Sequence, residues 1–245
     1  MSALAIDADM TATTSPPPRI LAIGDIHGCA TALEHLLHFI CPTAQDTLVL
    51  LGDIVDCGPD AKRTIDQLLQ ISAATKTILI LGNHEEMMRG AISGTSLLHT
   101  WLDHGGRETL ASYGGSIDNI PASHLRFILT AQPWWETETE IFVHANLERN
   151  VSPRNQSREY LRWKHLAGSE SLHHSGKRVI CGHTPQKDGV PLILDGWVCL
   201  DTFAVGGGYL SCLDVASNWV YQASETGNTR KFPLSRYEVP RARID

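Results

Sequence analysis

The chain has 245 residues, of which 20 are Lys or Arg and 27 are Asp or Glu, so its formal net charge is −7. This acidic balance provides no broad positive field to attract a nucleic-acid backbone, which argues against DNA or RNA as a partner. Apolar residues make up 42% of the chain, enough to bury a substantial core, and the length is typical of one enzyme-sized domain.

The start of the chain differs in composition from the rest. Residues 1–18 are rich in Thr, Ala and Ser and end in three prolines, so we predict a disordered tail over 1–18 and a single domain over 19–245. The first ten residues have neither a basic start nor a long apolar run, which argues against a secretory signal, and no stretch approaches membrane-spanning length. The six cysteines are scattered without CxxC spacing, which favours free thiols and a cytoplasmic location.

From Ile20 the sequence alternates short β-rich runs with amphipathic segments. The pattern predicts strands at Ile20–Ile23, Thr47–Leu51 and Thr77–Leu81, each followed by a helix, at Thr31–Ile40, Ala61–Ile71 and His84–Ile92. This βαβαβα order is typical of an α/β core with parallel strands.

The second half of the chain is predicted to contain a helical region and then a second sheet. Residues 95–131 have a helical apolar pattern broken by glycine pairs, and we predict a helical cap region there. Later strands are predicted at Ile141–His144, Val179–Cys181, Leu192–Leu194, Trp197–Leu200, Tyr209–Leu213 and Trp219–Gln222, with one helix near Ser157–Leu166. The predicted fold class is α/β, with two mixed β-sheets packed as a sandwich and flanking helices.

Three early strands end in a glycine followed by side chains that can bind a metal. The segments are Gly24-Asp25-Ile26-His27-Gly28, Gly52-Asp53-Ile54-Val55-Asp56 and Gly82-Asn83-His84-Glu85. Ligands of open α/β sheets collect at the carboxyl ends of strands. Asp25 and His27 lie two residues apart on an extended segment and therefore project to the same side. Such a pair alone is more often a turn aspartate and a surface histidine.

Two later strands repeat the arrangement, because one runs into His144 and another into His183. Five strand ends then present side chains with oxygen or nitrogen atoms that can bind a metal. A shared metal site explains all five, whereas a purely structural interpretation needs five independent coincidences, so we favour the metal site. The mixed carboxylate and imidazole set suits Mn²⁺, Fe²⁺ or Zn²⁺ better than Ca²⁺, which prefers oxygen alone. The sequence therefore predicts a metal site at the strand ends.

The motifs together resemble those of the phosphoprotein phosphatase family of calcineurin-like metallophosphoesterases. They are GDIHG at 24–28, GDIVD at 52–56, GNHE at 82–85, His144 after a strand, and GHTP at 182–185, in the family order. The segments WLDHGGRETLASYGG at 101–115, LRWKHL at 161–166 and CLDTFAVGGGYLSCLD at 199–214 are similar to the bacterial members.

The resemblance implies that residues 19–245 form one catalytic domain with two divalent ions, Mn²⁺ being the first expectation and Fe or Zn the alternatives. It implies two ligand sets that share Asp53: Asp25, His27 and Asp53 for one ion, and Asp53, Asn83, His144 and His183 for the other. Two such ions clamp a phosphoryl group and lower the pKa of an attacking water. The resemblance also implies that His84, oriented by Asp56, protonates the leaving group.

The chain departs from the family pattern at the predicted phosphate grip. Most relatives have an arginine where this chain has Cys57, so a positive charge is missing. Our candidate for a second phosphate-binding arginine is Arg162, and Lys164 and His165 are the alternatives. The sequence fits equally well with Arg162 as an arginine on a helix surface that binds no phosphate. The predicted substrate-binding residues are therefore Arg162, Cys57 and Asn83.

The spacing between Cys57 and Arg63 also fits C-x₅-R, which is typical of cysteine-dependent phosphatases. That chemistry needs consecutive backbone N–H groups around the phosphate, and Pro59 has none, so we consider this hypothesis the weaker one.

The predicted function is hydrolysis of phosphomonoesters by metal-activated water, with a serine/threonine protein phosphatase favoured. The partner is then a phosphorylated protein or a small phosphoester, without nucleic acid or membrane. One alternative is a symmetrical dinucleoside tetraphosphatase. Another is a pseudo-phosphatase that binds metal with little turnover, motivated by the missing arginine at Cys57.

Overall fold

A computed structural model describes residues 17–94 and 97–237. The strands in these ranges are β1 (Ile20–Ile23), β2 (Thr47–Leu50), β3 (Lys76–Leu79), β4 (Trp134–Glu136), β5 (Glu140–Val143), β6 (Arg178–Cys181), β7 (Leu192–Leu194), β8 (Trp197–Cys199), β9 (Leu210–Asp214), β10 (Trp219–Ala223) and β11 (Thr229–Pro233). The helices are α1 (Ala30–Ile40), α2 (Ala61–Ser72), α3 (Asn83–Ile92), α4 (Leu97–Trp101), α5 (Arg107–Ser112), α6 (Ala122–Leu129) and α7 (Arg158–Arg162), with short 3₁₀ turns between some of them. The tail predicted over 1–18 lies outside the described residues, apart from Pro17 and Pro18.

The first sheet has the strand order β11-β10-β9-β1-β2-β3. Strands β1, β2 and β3 are parallel, as the βαβαβα pattern predicts. Strand β9 lies antiparallel to β1, and β10 and β11 extend the sheet beyond it. The parallel part therefore has its strand ends at one edge, with α1, α2 and α3 connecting or following the strands.

The second sheet has the order β4-β5-β6-β8-β7, in which β5, β6 and β8 are parallel. The prediction that all late strands build this sheet is wrong for two of them, since the strands predicted at Tyr209–Leu213 and Trp219–Gln222 correspond to β9 and β10 of the first sheet. The physical reason is that buried strand β1 needs backbone partners on both sides, and β9 supplies them on the side away from β2. The predicted class, two mixed sheets packed as a sandwich with flanking helices, is confirmed.

The sheets face each other across an apolar layer. Its buried members include Ala22, Val49, Leu51, Phe142, Ile180 and Val198. A second apolar cluster fills the space between the first sheet and its helices, with Leu33, Leu36, Ile65, Leu68 and Met88 among its members. Because both faces of the first sheet are covered, β1 and β2 are nearly continuous apolar runs rather than alternating ones.

The segment after α3 contains α4 and α5, which are joined by a kinked turn at Leu102–Gly106. Gly105 has a φ of 97° in this turn, a conformation that favours glycine, so one of the glycine pairs in the sequence marks the kink. Trp101, at the end of α4, is fully buried. The role of this segment as a cap stays a prediction. Within the described ranges, no helix combines the length and apolar composition needed to cross a lipid bilayer.

Asp46 connects the start of β1 to the loop before β2. Its carboxylate accepts hydrogen bonds from the Arg19 backbone N–H at 2.9 Å, from Arg19 Nη2 at 2.7 Å and from the Thr43 N–H at 2.8 Å. Burial disfavours the charged carboxylate, but these donors outweigh the effect of burial and lower the pKa of Asp46 to about 2. The charged form therefore stabilises the folded state.

We expect Asp46→Asn to lower the free energy of unfolding by about 1–3 kcal/mol near neutral pH, because charge-assisted hydrogen bonds are lost. The folded pKa lies below the unfolded value of about 3.9, so the stabilisation is fully present above that value and is lost as the pH falls through the folded pKa. Urea unfolding of both proteins across this pH range measures the difference. The exposed Asp118→Asn is the control, and an equal loss in both variants would contradict the assignment.

Candidate active site

Six polar side chains meet at one edge of the sandwich because each follows a strand that ends there. Asp25 and His27 follow β1, Asp53 follows β2, Asn83 begins α3 after β3, His144 follows β5 and His183 follows β6. The carboxyl ends of parallel strands form a crevice where ligands collect. The structure thus brings together all six predicted metal ligands, although their binding of metal stays a prediction.

The backbone at these strand ends turns sharply. His27, Asp53 and His183 have φ angles of 47°, 48° and 64°, in the left-handed region that residues other than glycine rarely adopt. Each such conformation costs on the order of 1–3 kcal/mol and persists where the surroundings impose it. Here the turns hold one another, since the N–H groups of Ile26 and His27 both donate to the Asp53 carbonyl, at 3.0 and 2.8 Å.

Glu85 stabilises the turn at Asp53 through backbone hydrogen bonds. Its buried carboxylate accepts hydrogen bonds from the backbone N–H groups of Asp53 at 2.9 Å, Ile54 at 2.8 Å and Gly82 at 3.1 Å. The Gly82 bond belongs to the capping of α3, and the other two reach the loop after β2. Sequence reasoning did not assign Glu85 a role, although a glutamate in the third position of a helix is a capping-box signal.

The first group of potential ligands consists of Asp25, His27 and Asp53, whose ligand atoms all lie within 4.8 Å of one another. His27 Nε2 lies 3.6 Å from Asp53 Oδ2. The other ring nitrogen, Nδ1, lies 3.1 Å from the Val55 carbonyl oxygen, which favours an N–H at Nδ1 and leaves Nε2 free to bind a cation.

The second group consists of Asp53, His144 and His183, whose ligand atoms also lie within 4.8 Å of one another. His144 Nε2 lies 3.3 Å from Asp53 Oδ2, 2.9 Å from Asn83 Oδ1 and 3.1 Å from His183 Nδ1. The Nδ1 of His144 faces the Leu51 carbonyl oxygen at 2.8 Å and so carries the proton. Asp53 is common to both groups.

The charges in this cluster fit bound divalent cations. Burial, followed by the negative charges of Asp201 and Asp53, raises the pKa of Asp25 well above its usual value. Burial also opposes ionisation of Asp53, but His144 and His84 outweigh it and hold the pKa of Asp53 well below the usual value. Two buried carboxylates repel each other, and a cation between them would remove that repulsion. The set of carboxylate, amide and imidazole donors is suited to an ion such as Mn²⁺.

His84 and Asp56, the predicted proton donor and its partner, lie beside the two groups. His84 Nδ1 is 2.9 Å from Asp56 Oδ2, and His84 Nε2 is 3.9 Å from Asp53 Oδ2. Burial lowers the pKa of His84, but Asp53 and Asp56 outweigh it and raise the value to about 9. Asp56 is itself held by Trp101 Nε1 at 2.9 Å and by Thr109 Oγ1 at 2.7 Å. No local sequence signal identifies these two distant residues as its partners.

Arg162 is paired with a carboxylate and is therefore not a free cation that faces the site. Its Nε lies 2.9 Å from Glu86 Oε1, and Arg158 Nε lies 2.8 Å from Glu86 Oε2. Trp163 Nε1 donates to the same carboxylate at 2.9 Å. One carboxylate therefore partly neutralises both arginines, and phosphate binding by Arg162 stays a prediction.

Cys57 follows Asp56 in a left-handed conformation, with a φ of 65°. Desolvation of the sulfur, followed by the charges of Asp56 and Asp53, raises the pKa of the thiol to about 12. Arg63, the other half of the C-x₅-R spacing, pairs with Glu34 on α1. A neutral thiol without the arginine beside it gives no support to a cysteine nucleophile.

Comparison with known proteins agrees with this geometry. A model of the family described as Calcineurin-like phosphoesterase matches residues 18–187, more than half of the chain. A relative from Photorhabdus laumondii, named symmetrical bis(5'-nucleosyl)-tetraphosphatase, is 41% identical over 76 residues. These residues are 30% of this chain and 26% of the relative, so the match spans about a quarter of that protein.

Solved structures resemble the whole sandwich at low sequence identity. A crystal structure described as a candidate diadenosine tetraphosphatase has a TM-score of 0.62 and 21% identity, covering 89% of this chain and 96% of its own. A serine/threonine phosphatase from Saccharomyces cerevisiae has a TM-score of 0.57 and 15% identity, covering 94% of this chain and 83% of its own. Both similarities describe the fold and not the substrate.

We expect Glu85→Ala to lower the free energy of unfolding by at least about 2 kcal/mol, because three buried N–H groups would lose their acceptor. Glu85→Gln keeps one carbonyl oxygen as acceptor and should lose less. Chemical unfolding measures both, and titration with Mn²⁺ should show weaker binding in the alanine variant. Glu108→Ala, at an exposed helical position, is the matched control. A stability of Glu85→Ala equal to that of the control would contradict this role.

Proposed function

The chain belongs to the calcineurin-like phosphoesterase family, and from that premise we propose that it hydrolyses phosphomonoesters at a dinuclear metal centre. The observation that carries the proposal is the presence of two ligand groups that share Asp53, with His84 beside them. One ion would be held by Asp25, His27 and Asp53. The other would be held by Asp53, Asn83, His144 and His183.

Bound divalent cations would polarise the phosphoryl oxygens and lower the pKa of the attacking water. Mn²⁺ is our first proposal for the ions, with Fe or Zn as alternatives that the same donors accept. The protein's own contribution is to hold the ligands in place. His144 and His27 each direct one ring nitrogen to a backbone carbonyl, which leaves the other nitrogen facing the centre.

His84 is proposed to protonate the leaving oxygen. Its Nδ1 is occupied by Asp56, so Nε2 is the nitrogen that can face a substrate. Asp56 fixes the orientation of the ring, and Trp101 and Thr109 fix Asp56 in turn. The arrangement is that of a general acid held by a buried carboxylate.

We propose phosphoserine or phosphothreonine in proteins as the substrate class. A tetraphosphate brings several negative charges, which a site needs cationic side chains to hold. In this chain Cys57 replaces one expected arginine, and Arg158 and Arg162 share the carboxylate of Glu86. A single phosphomonoester, with its smaller charge, is better matched to this site. Since all six cysteines are unpaired, we further propose a cytoplasmic location, where thiols stay reduced.

A dinucleoside tetraphosphate is the second candidate substrate. It is favoured by the sequence similarity to the tetraphosphatase of Photorhabdus laumondii, which is 41% identical over 76 residues. A pseudo-phosphatase is the third candidate, since Cys57 weakens the phosphate grip.

His84→Ala should reduce turnover by about 10²–10⁴-fold if the residue is the general acid. The loss should be larger for phenyl phosphate than for para-nitrophenyl phosphate, because para-nitrophenolate leaves with little need of a proton. Steady-state rates on both substrates with saturating Mn²⁺ measure the ratio. His99→Ala, at an exposed position on α4, is the control. An equal loss on both substrates would argue against proton donation by His84.

Protein stripped of metal should have no turnover on a phosphoserine peptide and should regain it with Mn²⁺. Turnover of the peptide should exceed that of diadenosine tetraphosphate in kcat/KM. The reverse order would replace the proposed substrate class with dinucleotides. Bound Mn²⁺ without hydrolysis of the peptide, the dinucleotide or para-nitrophenyl phosphate would support the pseudo-phosphatase.

A further inference from the structure

We propose that His27, Cys57 and His84 form a binding site for a thiophilic divalent cation, with Zn²⁺ as the ion, at the side of the metal centre. One ring nitrogen from each histidine and the Cys57 Sγ all lie within 4.8 Å of one another. The site shares His27 with the first ligand group, but its other two ligands belong to neither group. It is therefore an alternative cation position that competes with the first ligand group for His27 Nε2, and its ligand set differs from that of the dinuclear centre.

Both imidazoles already direct Nδ1 to another partner. His27 Nδ1 is 3.1 Å from the Val55 carbonyl oxygen, and His84 Nδ1 is 2.9 Å from Asp56 Oδ2. The Nε2 atoms are therefore the ones available to a cation, and hydrogen bonding at Nδ1 is the usual way in which proteins orient a ligating histidine. The two rings lie edge to face with centroids 4.8 Å apart. Both Nε2 atoms face the same oxygen, Asp53 Oδ2, at 3.6 and 3.9 Å.

The loop that carries Cys57 is fixed on both sides. The Cys57 N–H donates to the Gly105 carbonyl at 3.2 Å, and its Sγ lies 3.6 Å from the His104 carbonyl oxygen. Gly58 packs so closely on the His27 backbone that a side chain there would overlap the His27 carbonyl oxygen. The residue Cys57 is exposed although protein atoms surround part of its sulfur, so a cation can reach the thiol from the solvent side.

The donor set decides which cation the site favours. Two imidazoles and a thiolate are ligands that Zn²⁺ binds in tetrahedral sites, with bonds of about 2.0–2.3 Å and ligand atoms about 3.3–3.6 Å apart. For the ligand atoms to come this close, the Cys57 Sγ must turn about χ1 toward the two imidazoles and give up its contact with the His104 carbonyl oxygen. Asp53 Oδ2 lies 3.6 Å from His27 Nε2 and 3.9 Å from His84 Nε2, so a cation here that also bound Asp53 would take a second ligand from the dinuclear centre. Mn²⁺ prefers oxygen-rich sites, so its affinity for this thiolate-containing site should be lower than that of Zn²⁺.

Occupation of this site would have a consequence for turnover, and that consequence rests on the proposed function. A cation on His84 Nε2 removes the proposed proton donor, and a cation on His27 competes with the first ligand group. Zn²⁺ should therefore inhibit the Mn²⁺-loaded enzyme through a residue, Cys57, that stands where the family pattern has arginine.

The test uses Cd²⁺, whose bond to a thiolate gives a charge-transfer absorbance in the ultraviolet that carboxylate and imidazole ligands do not give. Titration of the Mn²⁺-loaded protein should produce this absorbance with one thiolate-bound Cd²⁺ per chain. Cys57→Ser should abolish the absorbance, and Cys57→Ala should do the same. Cys41→Ser, which removes the other exposed cysteine, is the matched control and should retain it. Persistence of the absorbance in both Cys57 variants would overturn the proposal.

Two further readouts complete the experiment. Zn²⁺ should protect Cys57, but not Cys41, from iodoacetamide, as measured by mass spectrometry of the labelled peptides. Equal labelling of Cys57 with and without Zn²⁺ would also overturn the proposal. Zn²⁺ should inhibit hydrolysis by the wild type and by Cys41→Ser. Cd²⁺ absorbance and Zn²⁺ protection without inhibition would support the cation site and count instead against the proposed role of His84.

Discussion

The arrangement of the site depends on one buried carboxylate that lies outside the two groups of potential ligands. Glu85 accepts three backbone hydrogen bonds, two from the turn after β2 and one from the start of α3. These bonds hold Asp53 in a left-handed conformation, from which its side chain reaches both ligand groups. The same interaction positions the N-terminus of α3, and with it Asn83 and His84. A single hydrogen-bonding group thus sets the relative positions of the shared potential ligand, one further potential ligand and the proposed proton donor.

Close packing explains why glycines accompany the ligands. A Cβ at Gly52 would lie 2.8 Å from both the Gly82 nitrogen and His144 Nδ1, and one at Gly182 would overlap Asp25 Oδ1. The strand ends therefore approach each other at backbone distance, which larger residues would prevent. This approach allows six side chains from five strand ends to meet in a small volume. Left-handed turns at His27, Asp53 and His183 are the conformational cost of that convergence.

The surroundings of the proposed metal centre are less cationic than the resemblance to the family implies. Cys57 stands where the resemblance to the family implies an arginine, and the carboxylate of Glu86 lies against both Arg158 and Arg162. The same replacement places a sulfur ligand next to two histidines. If both proposals hold, one position acts in two ways, since a cysteine there would weaken the attraction for phosphate and add affinity for a thiophilic cation.

Local patterns in the sequence determined the alternation of strands and helices up to α3, the fold class, and the six residues that meet at the strand ends. These features could be predicted because hydrophobic periodicity and the glycines at strand ends are properties of a few neighbouring residues. The tertiary structure decided what depends on distant partners. Strands β9 and β10 join the first sheet because β1 needs a backbone partner, and β4 and β11 are edge strands too short or too polar for their patterns to predict. The contacts of Trp101 and Thr109 with Asp56, and of Arg162 with Glu86, join residues 45, 53 and 76 positions apart. No short-range pattern encodes such pairs, since packing alone brings them together.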